Sequence, residues 1–255
     1  MQIKASTAIV TGGASGLGEA TARMLVAEGA NVAILDFNEE RGNLIAFEFE
    51  GRVIFCKTDV TDEESVQKAI RSTMGKFGSL HFLLNCAGIG KSCKVIGKSG
   101  LMDMAGFRST IEVNLMGTVN VIRLAAEAMI QNRPNEDGER GVIVNTASIA
   151  AFEGQIGQAA YSASKAGIVG ITLPIAREFA SYGIRVATIA PGLFETPMLA
   201  GIPEKARAAL IESIPFPRRL GKPSEYALLA KQIIENPAIN GETIRLDCAI
   251  RMAPR

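Results

Sequence analysis

Tyr161 and Lys165 stand four residues apart in AAYSASKAG, and Ser148 lies thirteen residues upstream of the tyrosine in VNTASIA. On a helix, positions i and i+4 share one face, so the phenol and the ammonium would be presented together. Such a pair is a tunable acid and base. A free tyrosine titrates near about 10, and a neighbouring positive charge favours the phenolate, bringing proton acceptance toward neutrality. Ser148 ends the apolar run GVIVNTAS, which reads as a buried strand, and its hydroxyl would hold a substrate oxygen. The Tyr-x-x-x-Lys spacing also arises by accident on many helices, so its meaning depends on the elements that position it.

Those elements alternate. TAIVT is a short apolar run followed at once by GGASGLG and then by EATARMLVAEGA, whose apolar residues recur at helical spacing. The pattern of strand, turn and helix then repeats. Strand NVAILD closes on Asp36; a helix is expected near Glu39 to Glu48, strand RVIFCKTD after it, a helix near Glu63 to Phe77, and strand LHFLLN. A long helix is expected from about Phe107 to Gln131, then the polar surface loop QNRPNEDGERG and strand GVIVNTAS. The helix carrying Tyr161 and Lys165 should run to about Tyr182, before strand IRVATIA. From Pro191 to Pro223 the chain is rich in proline and glycine with one short helical piece, and a helix near Ser224 to Glu235 and strand ETIRLD complete it. Alternation of this kind predicts seven parallel strands with helices on both faces, in one α/β domain spanning residues 1–255.

Gly12, Gly16 and Gly18 lie between a predicted strand and a predicted helix, the context a dinucleotide-binding loop requires. Glycines let the backbone approach a pyrophosphate, and the helix N-terminus offers free amides and the positive end of a dipole. Asp36 ends the second strand twenty residues after Gly16, where a carboxylate can accept hydrogen bonds from both hydroxyls of an adenosine ribose. The same carboxylate would repel a 2′-phosphate, and Ser15 brings no positive charge to offset it, so NAD is expected rather than NADP. Asp59 and Val60, at the close of the third strand, are candidates to meet the adenine.

Composition narrows the classes. The formal charge of +1 and the mixing of both signs along the chain provide no basic field for nucleic acid or an anionic membrane. Hydrophobic residues make up 47%, enough for a sizeable core, yet no apolar run reaches membrane-spanning length. Cys56, Cys86, Cys93 and Cys248 form no Cys-x-x-Cys pair, and His81 has no partner at metal-ligand spacing, so reduced thiols and no metal are expected. A buried inert Cys86 and a structural His81 are the simplest readings. No secretory or transit leader is evident, which points to a soluble cytoplasmic protein, or to the mitochondrial matrix if the source is eukaryotic.

As an ordered set, TGGASGLG, Asp59, the NCAG of Asn85 to Gly88, Asn114, Ser148, Tyr161, Lys165 and PGLFETP resemble the short-chain dehydrogenase/reductase family over essentially the whole chain. The resemblance implies a Rossmann-type doubly wound sheet in the order 3-2-1-4-5-6-7 and a homotetramer. It implies that Ser148 orients the substrate oxygen, Tyr161 is the acid/base, Lys165 lowers its pKa and binds the nicotinamide ribose, and Asn114 holds a water in a proton relay. It also implies cofactor contacts at Gly12, Ser15, Gly16, Leu17, Gly18, Asp36, Asp59, Val60, Cys86, Ala87, Gly88, Pro191, Phe194 and Thr196, besides Tyr161 and Lys165. Cys86 departs from the family's usual NNAG; a backbone contact there would survive the exchange.

A finer resemblance runs through VNLMGTVNVIRLAAE, AAFEGQIGQAAYSASKAGIVGITLPIARE, PFPRRLG and NGETIRLDCAIRM, and points to members of the family that act on acyl-CoA. It implies oxidation of short or 2-methyl-branched (S)-3-hydroxyacyl-CoA to 3-ketoacyl-CoA, with Gln155 facing the substrate. The loop at about 193–217 would then cover the acyl chain with Phe194, Met198, Leu199, Ile202 and Phe216, while lysines between Lys91 and Lys98 meet CoA phosphates. Three alternatives stay open at this point: a 3-ketoacyl carrier-protein reductase, a hydroxysteroid or other secondary alcohol dehydrogenase, and a non-catalytic dinucleotide-binding scaffold.

Overall fold

The computed structural model describes every residue except Ser99 and Arg255. Its main sheet has seven strands: β1 (Thr7–Thr11), β2 (Asn31–Asp36), β3 (Val53–Lys57), β4 (Phe82–Asn85), β5 (Gly141–Thr146), β6 (Ile184–Pro191) and β7 (Thr243–Leu246). All pairings in it are parallel and the order is 3-2-1-4-5-6-7, as the alternation and the resemblance imply. A separate antiparallel ribbon pairs Ile96–Gly97 with Gly100–Leu101.

The central strands are continuous apolar runs because both of their faces are covered. Every residue of β1 is buried, as is every residue of β6. On one face Val10, Ile34, Phe82 and Val144 pack against Leu25 of α1 (Gly16–Ala27), Ile45 of α2 (Glu39–Glu48) and Ile233 of the last helix. On the other, Ile9, Leu35, Leu83 and Ile143 pack against Val66 of α3 (Glu63–Phe77) and Val121 of the helix before β5. Helix starts are set by side chains that accept from free first-turn amides. Asn38 accepts from the Arg41 amide and Asp62 from the Glu64 amide, so α2 and α3 begin where the sequence predicts.

Three elements differ from expectation. The predicted helix over 107–131 is α4 (Met104–Ile111), a π-helical turn (Glu112–Met116) and α5 (Gly117–Met129). The π turn inserts one extra residue and is centred on Asn114; wide turns of this kind concentrate at functional sites. Helix α6 (Ala159–Phe179) passes into a 3₁₀ turn at Ala180–Tyr182, which Gly183 ends with φ 72°. Two helices, α7 (Pro197–Ala200) and α8 (Glu204–Glu212), fill the region where one was expected, before α9 (Pro223–Glu235).

Strands β2 and β3 run outward from β1 on one side, and β4 to β7 on the other. At that reversal the connections leave in opposite directions, which opens a crevice at the C-terminal ends of β1 and β4. Among the described residues no helix is long and apolar enough to cross a membrane.

Candidate active site

The crevice is a cleft of about 700 Å³ whose lining includes Asp36, Tyr161 and Met252. Its floor is built by the ends of the parallel strands. Gly12 follows β1 with φ 62°, and a Cβ there would stand 2.8 Å from the Ala87 amide nitrogen; Gly18 opens the first turn of α1, where a Cβ would meet the Gly12 carbonyl oxygen at 2.2 Å. Any side chain at either position would displace backbone. Ser15, Gly16, Leu17 and Gly18 all line the cleft, and the Ser15 side chain caps none of the first amides of α1, so the positive end of that helix is open to an anion. Asp36 accepts from the Ala14 amide at 3.0 Å through one carboxylate oxygen and from the Asn38 amide at 2.9 Å through the other. Shape, glycine spacing, helix end and carboxylate together fit an adenine dinucleotide.

Tertiary structure adds a cation that linear distance concealed. Arg41 reaches the glycine loop and donates to the Ala14 carbonyl at 2.9 Å. Its charge is already committed, because the same guanidinium pairs with Glu19 at 2.6 Å. Asp36, at the end of β2 beside the loop, is therefore left without this cation as its partner.

On the opposite wall, α6 presents Tyr161 and Lys165 to the cleft as their spacing requires. Lys165 Nζ lies 5.8 Å from the Tyr161 ring centroid and donates to the Thr146 carbonyl at 2.8 Å. Burial pushes the Lys165 ammonium down to about 8. Burial also raises the Tyr161 phenol above its usual value, with the neighbouring Ser148 hydroxyl drawing the other way. The direction in the free chain is thus the opposite of the lowering expected from a lysine neighbour, and its main cause is desolvation of the phenolate. Ser148 lines the same cleft and accepts from the Ala150 amide at 3.1 Å, opening a 3₁₀ turn (Ile149–Ala151) that carries the chain toward α6.

Asn114 does not line the cleft. It is fully buried, accepts from the Ile89 amide at 2.8 Å, and donates to the Ile89 carbonyl at 2.9 Å and to Ser164 Oγ at 3.0 Å. Both amide protons and one lone pair of the carbonyl oxygen have partners, so the side chain braces the turn after β4 against α6. The space between it and the lysine is tight: a Cβ on Gly88 would lie 3.2 Å from Asn114 Oδ1 and 3.5 Å from Lys165 Nζ.

Of the remaining expected contacts, Val60, Cys86, Ala87, Gly88, Pro191, Phe194 and Thr196 line the cleft. Asp59 does not: β3 ends at Lys57, and the Asp59 carboxylate turns back to accept from the Thr61 amide at 2.9 Å and hydroxyl at 2.7 Å. Gln155 is also displaced from its expected role, since its amide donates to the Ala253 carbonyl at 3.0 Å while Gln158 takes a place in the wall. Met198 and Leu199 of α7 line the cleft as expected, whereas Ile202 is outside it and Phe216 is 82% exposed. Lys91 is at the wall; Lys94 and Lys98 stand on the surface. His81 accepts from the Thr7 amide at 3.1 Å and burial lowers its pKa, which suits a structural imidazole.

Two residues of the site carried no signal in the linear sequence. Tyr226, fully buried on α9, meets Thr146 Oγ1 at 2.7 Å and the Cys86 thiol at 3.8 Å, one residue's width from the anchor of Lys165. Burial raises the Cys86 thiol above its usual value, so it is an inert neighbour of the cofactor site and not a nucleophile. The other is Met252, in the segment after β7. Among the described residues no group of three or more His, Cys, Asp or Glu side chains is placed to hold a metal ion.

Comparison with known proteins bears on this geometry directly. Residues 6–207 match the family model described as short chain dehydrogenase. The chain is 55% identical over 254 residues to the 3-hydroxyacyl-CoA dehydrogenase type-2 of Drosophila melanogaster, covering 99% of this chain and 100% of that protein. It is 54% identical to the Homo sapiens protein of the same name, covering 99% and 97%. The crystal structure of 3-hydroxyacyl-CoA dehydrogenase type-2 from Mycobacterium avium superposes with a TM-score of 0.94 at 46% identity, covering 98% of this chain and 97% of that one.

Proposed function

The chain belongs to the short-chain dehydrogenase family, and we propose that it oxidises short or 2-methyl-branched (S)-3-hydroxyacyl-CoA to 3-ketoacyl-CoA with NAD. The observation that carries the proposal is the convergence, in one cleft, of Tyr161, Ser148 and Lys165 with a glycine loop and with Asp36 at the end of β2. NAD, when bound, would supply the hydride acceptor. Gly12, Gly16 and Gly18 would let the backbone approach its pyrophosphate, and Asp36 would take the adenosine ribose hydroxyls while rejecting a 2′-phosphate. Ser148 would hold the substrate hydroxyl oxygen, and Tyr161 as phenolate would remove its proton. Lys165, fixed through the Thr146 carbonyl, would hold the second ribose and help to stabilise the phenolate. Asn114 is assigned a positioning role through Ile89 and Ser164.

The family's quaternary habit supports a homotetramer, and Leu173 and Leu228 leave apolar surface exposed on the single chain for such contacts. The acidic Asp36 end of the cleft disfavours the NADP-dependent carrier-protein reductase, and a complete set of acid/base groups disfavours a scaffold.

The test is formation of the reduced cofactor, NADH from NAD or NADPH from NADP, by the purified protein with 3-hydroxybutyryl-CoA, its 2-methyl analogue and a hydroxysteroid. NAD-dependent turnover of the thioesters is expected. A preference for NADP, or turnover confined to the steroid, would sink the proposal.

The pH dependence has a definite sign. Burial raises the Tyr161 pKa, so at neutral pH the group is mostly the phenol. Oxidation needs the phenolate and its kcat/KM should rise with pH; reduction needs the phenol and should fall. Above about 8 the free chain also loses the Lys165 charge, and the oxidative rise should flatten there. Rate profiles in both directions check this, and parallel profiles would remove Tyr161 from the proton transfer.

A further inference from the structure

The segment that follows β7 contributes Met252 to the wall of the cleft, on the apolar cluster that includes Ile149 and Leu199. After Asp247 the backbone turns back through Cys248 and Ala249, which both take left-handed conformations (φ 52° and 62°), with the Ala249 amide donating to Asp247 at 3.0 Å. Beyond the turn, alternate residues face the same way, as in any extended segment. Ile250 is 1% exposed and anchored in an apolar cluster with Ile149 and Ile214. Arg251 faces out to Asp247 at 3.1 Å. Met252 turns inward again, onto that cluster and into the wall of the cleft.

This segment is fastened to the stretch that joins Ser148 to Tyr161. Arg251 meets Glu153 at 3.4 Å, Gln155 donates to the Ala253 carbonyl at 3.0 Å, and the Ile156 amide donates to the Pro254 carbonyl at 3.0 Å. Met252 is therefore held in register with the acid/base residues. Met198 and Leu199 of α7 line the same cleft.

We infer that Met252 is a specificity-determining residue, whose side chain closes the acyl end of the cleft and sets the longest acyl chain the protein accepts. The inference rests on the acyl-CoA reading above and names the group that limits it. An unbranched thioether suits this task because it fills an apolar end wall without a polar atom to satisfy.

The experiment compares kcat/KM over straight-chain 3-hydroxyacyl-CoA thioesters with four-carbon to ten-carbon acyl groups, in the unaltered protein, Met252→Ala and Met252→Phe. The Ala variant should raise the ratio of ten-carbon to four-carbon efficiency by about tenfold, and the Phe variant should lower it by a similar factor, the scale expected for a few methylenes in an apolar pocket. Gln155→Ala, which removes one bond holding the segment, should shift the ratio in the Ala direction and serves where Met252→Ala folds poorly. An unchanged ratio in all variants that turn over would overturn the assignment. If the unaltered protein turned over none of the thioesters, the substrate reading itself would fall, and this assignment with it.

Discussion

Tyr161→Phe lowers kcat for 3-hydroxyacyl-CoA oxidation by about 10³-fold, within the range of 10²–10⁴ typical for loss of a positioned acid/base, and leaves NAD binding within about twofold. The exchange removes one oxygen and keeps the ring, which packs against the cleft beside Lys165. Lys165 retains its anchor at the Thr146 carbonyl, and Ser148 retains the Ala150 amide, so neither the glycine loop nor the strand ends have cause to move. What disappears is the proton acceptor for the substrate hydroxyl. Steady-state rates together with calorimetric titration of NAD separate the two effects. Activity within about tenfold of the unaltered protein would mean that another group, or solvent, takes the proton. A parallel loss of NAD affinity would mean that the phenol is chiefly a binding group.

Asp36→Ala raises the KM for NAD by about 10²-fold, since two charge-assisted hydrogen bonds to ribose are worth roughly 1.5–3 kcal/mol each and part of that is recovered through water. The efficiency with NADP relative to NAD rises at the same time, because the negative charge that rejects a 2′-phosphate is gone. The second effect is diagnostic. Asp36 also accepts from the Ala14 and Asn38 amides, so its loss loosens the loop. Loosening alone would weaken both cofactors alike and leave their ratio unchanged. A constant NADP to NAD ratio would therefore assign Asp36 a structural role only. Arg41 bears on the outcome, since its side chain reaches the glycine loop from α2 and its release from Glu19 would supply a cation for the phosphate.

The corrections fall where chain distance and side-chain direction disagree. Asp59 ends a β-rich run, and its type suits an adenine contact, but the strand stops at Lys57 and one oxygen of the carboxylate is taken by the turn it opens. Gln155 lies six residues before Tyr161, close enough in sequence to face the substrate, yet its amide is drawn to Ala253, nearly a hundred residues away in the chain. The pKa of Tyr161 moved opposite to expectation for a related reason. Spacing shows that a lysine is near, whereas only the packed structure shows how much water both groups have lost and where the ammonium points.

By itself the sequence determined what depends on local periodicity and residue type. It determined the alternation of strands and helices, the helix starts at Asn38 and Asp62, the glycine loop, and the sharing of one helix face by Tyr161 and Lys165. These follow from steric limits and hydrogen-bonding needs that act within a few residues. Only the tertiary structure decided which distant segments meet. It brought Tyr226 to Thr146, Asn114 to Ile89 and Ser164, Arg41 to the glycine loop, and Met252 to the wall of the cleft. Those contacts cross the chain and exist because two faces of one sheet must be buried at once, a constraint that no short window of sequence contains.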